Sequence, residues 1–258
     1  MEGVSTKKYR FILKLALIEI ALIACIYLAT KFKGLTFYLF YNLLYGLILS
    51  TVLPIILIFK EREGFSSVGI KKFRLRQIAV VALFIIFSIG GQVVPKLING
   101  ETIRYNLLPI CVIPLIMTTF FEEFLFRGYM QTRIEKIYGF LPAIVLSGLM
   151  FSLYHLGYPG FRTISDLLLL FAVGIGFAVA FKLSDNNLIA SYFVNSPNAF
   201  LTYILKSEQF PIFTKNSTLF ASITIAIIII ILIYSHRKAM NYTNPGRGIL
   251  KWFEDDMF

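Results

Sequence analysis

Apolar residues along this chain collect in blocks separated by short polar breaks. Most blocks are about 17–25 residues long, the length at which an α-helix crosses the hydrocarbon core of a bilayer. Eight blocks read as spans, at residues 11–29, 35–59, 77–98, 106–137, 140–156, 166–182, 188–205 and 217–234. The fourth carries Pro109, Pro114 and an acidic pair, and its helix runs on to Ile137 because no breaker precedes Gly139. Pro95 and Asn99-Gly100 close the third, Pro142 suits the first turn of the fifth, and Pro197 interrupts the seventh. The first block is too long for a signal-peptide core and lacks a small-x-small exit, so it reads as a retained helix. The expected fold is all-α: a polytopic transmembrane helical bundle, one integral membrane domain over residues 1–258. The basic tail, 235–258, is too short to fold alone.

Composition agrees. The chain is 57% hydrophobic and 16% aromatic, with mean hydropathy +0.76, where soluble domains sit near about 45–50% apolar. A net charge of +11 could suggest nucleic acid. In a polytopic protein, cytoplasmic loops facing anionic head groups explain it better, which makes membrane lipids the expected partner and excludes nucleic acid. With the N-terminus in the cytoplasm, Lys60, Arg62, Lys71, Lys72, Arg74 and Arg76 lie inside, as do Arg237, Lys238, Arg247 and Lys251 of the tail. This bias predicts a multi-pass protein of the cell membrane with both termini cytoplasmic. Cys25 and Cys111 each lie in an apolar block and read as small core residues rather than a disulfide or metal pair.

The candidate chemistry lies in Phe120-Phe121-Glu122-Glu123-Phe124-Leu125-Phe126-Arg127. A carboxylate inside a membrane span costs roughly 2.5–3.5 kcal/mol on insertion scales, so two adjacent ones need a reason. On a regular helix Arg127 lies about 40° round from Glu123 but about 140° from Glu122. Arg127 is therefore expected to neutralise Glu123 and leave Glu122 free for chemistry. The alternative, in which the three charges mark a helix end at the membrane surface, is equally open at this level.

There are two histidines. His236 sits beside Arg237 and Lys238 beyond the last span and reads as a solvated flank. His155 ends the fifth span, and a lone histidine there is more often a helix-end residue than a catalyst. If the chain turns back near Gly139, however, Glu122 and His155 both lie roughly 24–26 Å from the turn, at similar depth on antiparallel helices. A carboxylate and an imidazole brought together in the membrane can activate water. No HExxH occurs, and one usable histidine with two carboxylates is a poor zinc set, so neither metal nor cofactor is expected. On the seventh span Ser191 and Asn195 share a face, as interhelical glue or as oxyanion donors.

These residues resemble the CAAX-prenyl endopeptidase and bacteriocin-processing (CPBP, or Abi) family of intramembrane glutamic proteases. That family carries Glu-Glu-x-x-x-Arg, then Phe-x-x-x-His, then His-x-x-x-Asn or Asp, on successive core helices. Glu122-Glu123-Phe124-Leu125-Phe126-Arg127 and Phe151-Ser152-Leu153-Tyr154-His155 complete the first two. Ser67-Val68-Gly69-Ile70 looks like a further short family feature. The third motif departs: Ser191 stands in place of the histidine, and Asn195 is kept. The resemblance covers about residues 65–205. It implies a metal-independent endopeptidase acting on a peptide or membrane-protein substrate. Glu122, His155 and Asn195 would be catalytic, supported by Glu123, Arg127, Ser191 and Phe151. The missing histidine also leaves room for a catalytically silent scaffold binding a membrane or cell-envelope protein partner. A small transporter is a further alternative, against which no inverted repeat is visible.

Overall fold

The computed structural model describes residues 2–160, 163–205 and 211–243, with side chains between residues 8 and 238 of these ranges. The last part of the expected tail, 244–258, lies outside the described residues. Among the described residues the chain forms eight long helices and no strand: α1 (Glu2–Lys31), α2 (Leu35–Lys60), α3 (Leu75–Ile98), α4 (Tyr105–Tyr138), α5 (Phe140–Gly157), α6 (Ile164–Leu183), α7 (Leu188–Leu205) and α8 (Lys215–Thr243). All but α7 are long and apolar enough to cross a membrane. The α7 segment, expected as a span, is diluted by Ser191, Asn195, Ser196 and Asn198.

Helix α4 is the centre of the bundle. It packs on α2, α5, α7 and α8, while α5 pairs with α6 and α3 lies on α7. From Glu123 to Ile134 every residue of α4 is buried. By contrast α3 is peripheral, with Leu83, Ile86 and Phe87 exposed, the side-chain chemistry of a lipid-facing helix. Small residues set the closest approach. A Cβ on Gly148 of α5 would lie 2.9 Å from the Ile175 backbone nitrogen, and one on Gly174 of α6 would lie 2.8 Å from the Gly148 oxygen. Such contacts let helix backbones meet in a membrane, where no hydrophobic drive separates side chains from lipid.

Two stretches leave the ordinary helical repeat. Residues 39–52 of α2 and 123–131 of α4 are π-helical, with i→i+5 bonding. The second begins at Glu123 and contains Arg127. The constant step of about 100° used to set Arg127 over Glu123 therefore does not apply within it. Neither Pro197 nor Pro95 breaks its helix: α7 runs unbroken from Leu188 to Leu205, and α3 continues through Pro95 to Ile98.

The Ser67-Val68-Gly69-Ile70 feature has a positional task. Residues 65–68 make one 3-10 turn, and Gly69 follows at φ 85°, a left-handed conformation suited to glycine. Its carbonyl accepts the Leu188 amide at 2.8 Å, and a Cβ there would lie 2.4 Å from the Asn186 carbonyl. The loop thus pins the first residue of α7. Nearby, Asn187 and Gln77 join the α6–α7 turn to the start of α3. At the same end Arg133 pairs with Glu61 at 2.6 Å and Glu63 at 3.0 Å, and Lys136 pairs with Glu63. Burial pushes the Glu63 carboxyl up, but Lys136, Ser67 and Arg133 together outweigh it and hold it below its ordinary range.

Two smaller expectations are corrected or met. His236 packs its ring against Phe65, with centroids 6.0 Å apart, so it is not a solvated flank. Both cysteines are free thiols, Cys111 buried and Cys25 half-buried.

Candidate active site

Three helices bring the sequence-predicted residues together. Glu122 and Glu123 sit where α4 changes from regular to π-helical winding. Asn195 and Ser191 come from α7, and Phe151 and His155 from the end of α5. That end is a 3-10 turn over Tyr154–Gly157, pressed onto α1: a Cβ on Gly157 would lie 2.8 Å from Ile26 Cβ.

The two carboxylates have different surroundings. Glu123 is buried, 1% exposed, and accepts from Ser191 Oγ and from Asn195 Nδ2 at 2.9 Å. Glu122 keeps partial exposure. It accepts from the Tyr154 hydroxyl at Oε1 and from Asn195 Nδ2 at Oε2, 3.0 Å away. Asn195 therefore bridges both glutamates with one amide group. It is itself buried, and a Pro197-induced swing away from the site does not occur.

Arg127 does not form the expected ion pair with Glu123. Its guanidinium is fully buried, donates from Nη1 to Ser147 Oγ at 2.5 Å, and lies over the Phe151 ring, 5.3 Å from the centroid. Its Nε and Nη2 have no hydrogen-bond partner among the described residues. Arg127 is instead turned toward α5, which carries Ser147 and Phe151. It remains the one cation among the named site residues, acting on the carboxylates through space rather than by contact.

His155 lies next to the carboxylate's own partner. Its ring centroid is 4.1 Å from that of Tyr154 and 5.0 Å from that of Phe151. Its Nδ1 is 2.8 Å from the Phe151 carbonyl oxygen. A carbonyl only accepts, so Nδ1 carries the proton and Nε2 is the basic nitrogen of the neutral ring. Phe151 thus holds His155 by its backbone and Arg127 by its ring.

Tyr154 was missed in the sequence. On a regular helix its side chain would point about 100° away from that of His155. In the 3-10 turn ending α5 the two rings nevertheless pack together, with the Tyr154 hydroxyl on Glu122, and that turn leaves no reliable mark in the residues. Nor could the sequence predict the hydroxyls gathered there from α2, where Tyr41 meets Thr118 at 3.2 Å and Tyr158 at 3.4 Å. Among the described residues no group of three or more His, Cys, Asp or Glu is placed to hold a metal ion.

Residues 104–197 match the family model for type II CAAX prenyl endopeptidase, Rce1-like. The match spans α4, α5, α6 and the site-bearing part of α7, and it bears out the resemblance read from the glutamate and histidine motifs. No curated protein matches the chain. The family match supports a CAAX-type intramembrane protease kind of function. With the apolar helices of membrane-crossing length, it makes the chain an integral membrane protein.

Proposed function

We propose that this protein is a metal-independent intramembrane endopeptidase that cleaves a peptide or protein substrate with water activated by Glu122 and His155. The observation that carries the reading is the asymmetry of the acid pair. Glu123 is buried and satisfied by Ser191 and Asn195, whereas Glu122 is partly exposed and bonded to Tyr154, whose ring packs against the His155 imidazole. One carboxylate is structural; the other can meet water.

In the proposed reaction Glu122 takes a proton from water as the oxygen bonds to the scissile carbonyl carbon, and the carbonyl electron pair moves to oxygen. Both Asn195 N–H bonds are committed to carboxylates in this state. Once Glu122 is protonated, its hold on Asn195 weakens, and that N–H can turn to the new oxyanion. His155 Nε2 accepts from the attacking water or steadies it. The proton held by Glu122 then passes to the leaving nitrogen as the C–N bond breaks. Arg127 limits the cost of keeping two carboxylates in one site. The donors are two carboxylates and one imidazole, a poor zinc set, which favours acid–base chemistry by the side chains.

The family name points to substrates cut near a C-terminus; maturation of a secreted peptide or self-immunity are further candidates. The loop-charge bias supports a place in the cell membrane with both termini cytoplasmic. A scaffold reading draws on Ser191, which stands in place of the family's histidine and whose hydroxyl is committed to Glu123. Purified protein in lipid, offered a peptide library, separates the two. Cleavage by wild type and none by Glu122→Gln supports the protease. No cleavage by either, with a membrane partner still captured by Glu122→Ala, supports the scaffold.

A further inference from the structure

Tyr154 is the residue at this site that neither the motifs nor the proposed reaction uses. We infer that Tyr154 is a positioning residue for hydrolysis: its hydroxyl fixes the Glu122 carboxylate in the orientation from which it takes the proton of water. The inference rests on the proteolytic reading above.

The packing leaves the hydroxyl little choice of direction. The Tyr154 side chain is fully buried. Phe126 lies 5.0 Å away between ring centroids, Phe151 5.5 Å, and Tyr45 is stacked parallel at 6.4 Å. His155 covers it at 4.1 Å. The backbone beneath is equally fixed, because the 3-10 turn it starts is pressed onto α1 at Gly157. A buried tyrosine hydroxyl needs a partner. Tyr41 takes neutral ones, Thr118 and Tyr158. Tyr154 instead donates to a carboxylate, on a residue that is only partly buried.

The consequence is geometric. Glu122 has one donor on each oxygen, Tyr154 on Oε1 and Asn195 on Oε2. Glutamate has three rotatable bonds, and a grip at both oxygens stops rotation about the last of them. Each oxygen keeps a lone pair for water. Removing the tyrosine hydroxyl frees one end, so the carboxylate loses its aim while the ring, and with it the core, stays in place. Tyr154 also packs against His155, so one aromatic side chain touches both groups of the proposed reaction.

Tyr154→Phe tests this with two independent readouts on full-length protein in lipid. The first is the infrared carboxyl band of Glu122, assigned by its loss in Glu122→Gln. The second is cleavage of a peptide that wild type cuts. The expected result is a shifted band in Tyr154→Phe and a kcat lower by about 10²-fold, the small end of general-base effects, with KM within about twofold of wild type and the melting temperature retained. An unmoved band overturns the inference whatever the activity. A shifted band with unchanged kcat overturns the positioning role and leaves a structural contact. A KM change with kcat kept does the same, by making Tyr154 a binding residue. If wild type and Glu122→Gln cleave equally, or not at all, the proteolytic reading falls and takes the catalytic meaning of Tyr154 with it. The band still reports whether the contact exists, so the two failures are distinguishable.

Discussion

Asn195→Ala separates the chemical role of the amide from its structural one. The side chain is buried and makes two hydrogen bonds to carboxylates, at 3.0 Å to Glu122 and 2.9 Å to Glu123. In a soluble protein, bonds to charged groups are worth about 1.5–3 kcal/mol each. Inside a membrane the average falls to about 0.6 kcal/mol, because the unfolded chain also finds partners there. Glu122 keeps Tyr154 and Glu123 keeps Ser191 in the variant. The loss of stability therefore lies near the lower bound, about 1–2 kcal/mol for the two bonds together. The effect on rate is larger. An oxyanion donor is worth about 10²–10³ in turnover, or about 2.7–4 kcal/mol at 1.36 kcal/mol per decade. Thermal melting and kcat measured in the same lipid should then show a folded protein with a rate down by about a hundredfold or more. A fall in kcat of less than about tenfold in a folded variant would refute the oxyanion role and leave Asn195 as a clasp between α4 and α7.

Arg127→Ala should destabilise by about 1.5–3 kcal/mol, the worth of a hydrogen bond to a charged group, because Ser147 loses that bond and the carboxylates lose their nearby cation. Unchanged expression and melting temperature would show that Ser147 and Phe151 hold the region without it. Proteolysis should survive EDTA and 1,10-phenanthroline; loss with chelator, restored by added zinc, would end the glutamate mechanism. Engineered cysteines between residues 61 and 74 should be labelled from the cytoplasmic side only, and labelling from outside alone would invert the topology. The Glu63 clasp has a sign with pH. Its carboxyl is held below the ordinary range, so its stabilisation is present above the unfolded value of about 4.3 and is lost as pH falls through the lower folded one. Hydrogen exchange in residues 61–68 should rise on that descent in wild type and be insensitive to it in Glu63→Gln.

Hydrophobic blocks alone decided the fold class, because a bilayer forces each long apolar run to satisfy its own backbone as a helix. Some stops were equally legible: Gly139 ended α4 as expected, since a glycine there permits the φ of 89° that the turn requires, whereas Pro197 did not interrupt α7. The motifs identified Glu122, Glu123, Arg127, Phe151, His155 and Asn195, and the structure brings these side chains into one region. What the residues could not encode locally was rotation about a helix axis. Arg127, within the π-helical stretch that begins at Glu123, gives its hydrogen bond to Ser147, and Tyr154, in the 3-10 turn ending α5, gives its own to Glu122. Both depend on contacts between helices distant in sequence, such as Gly157 against Ile26. Sequence spacing assumes a constant 3.6 residues per turn. Where packing favours a different winding, the same residues face different neighbours, and only the tertiary structure says which.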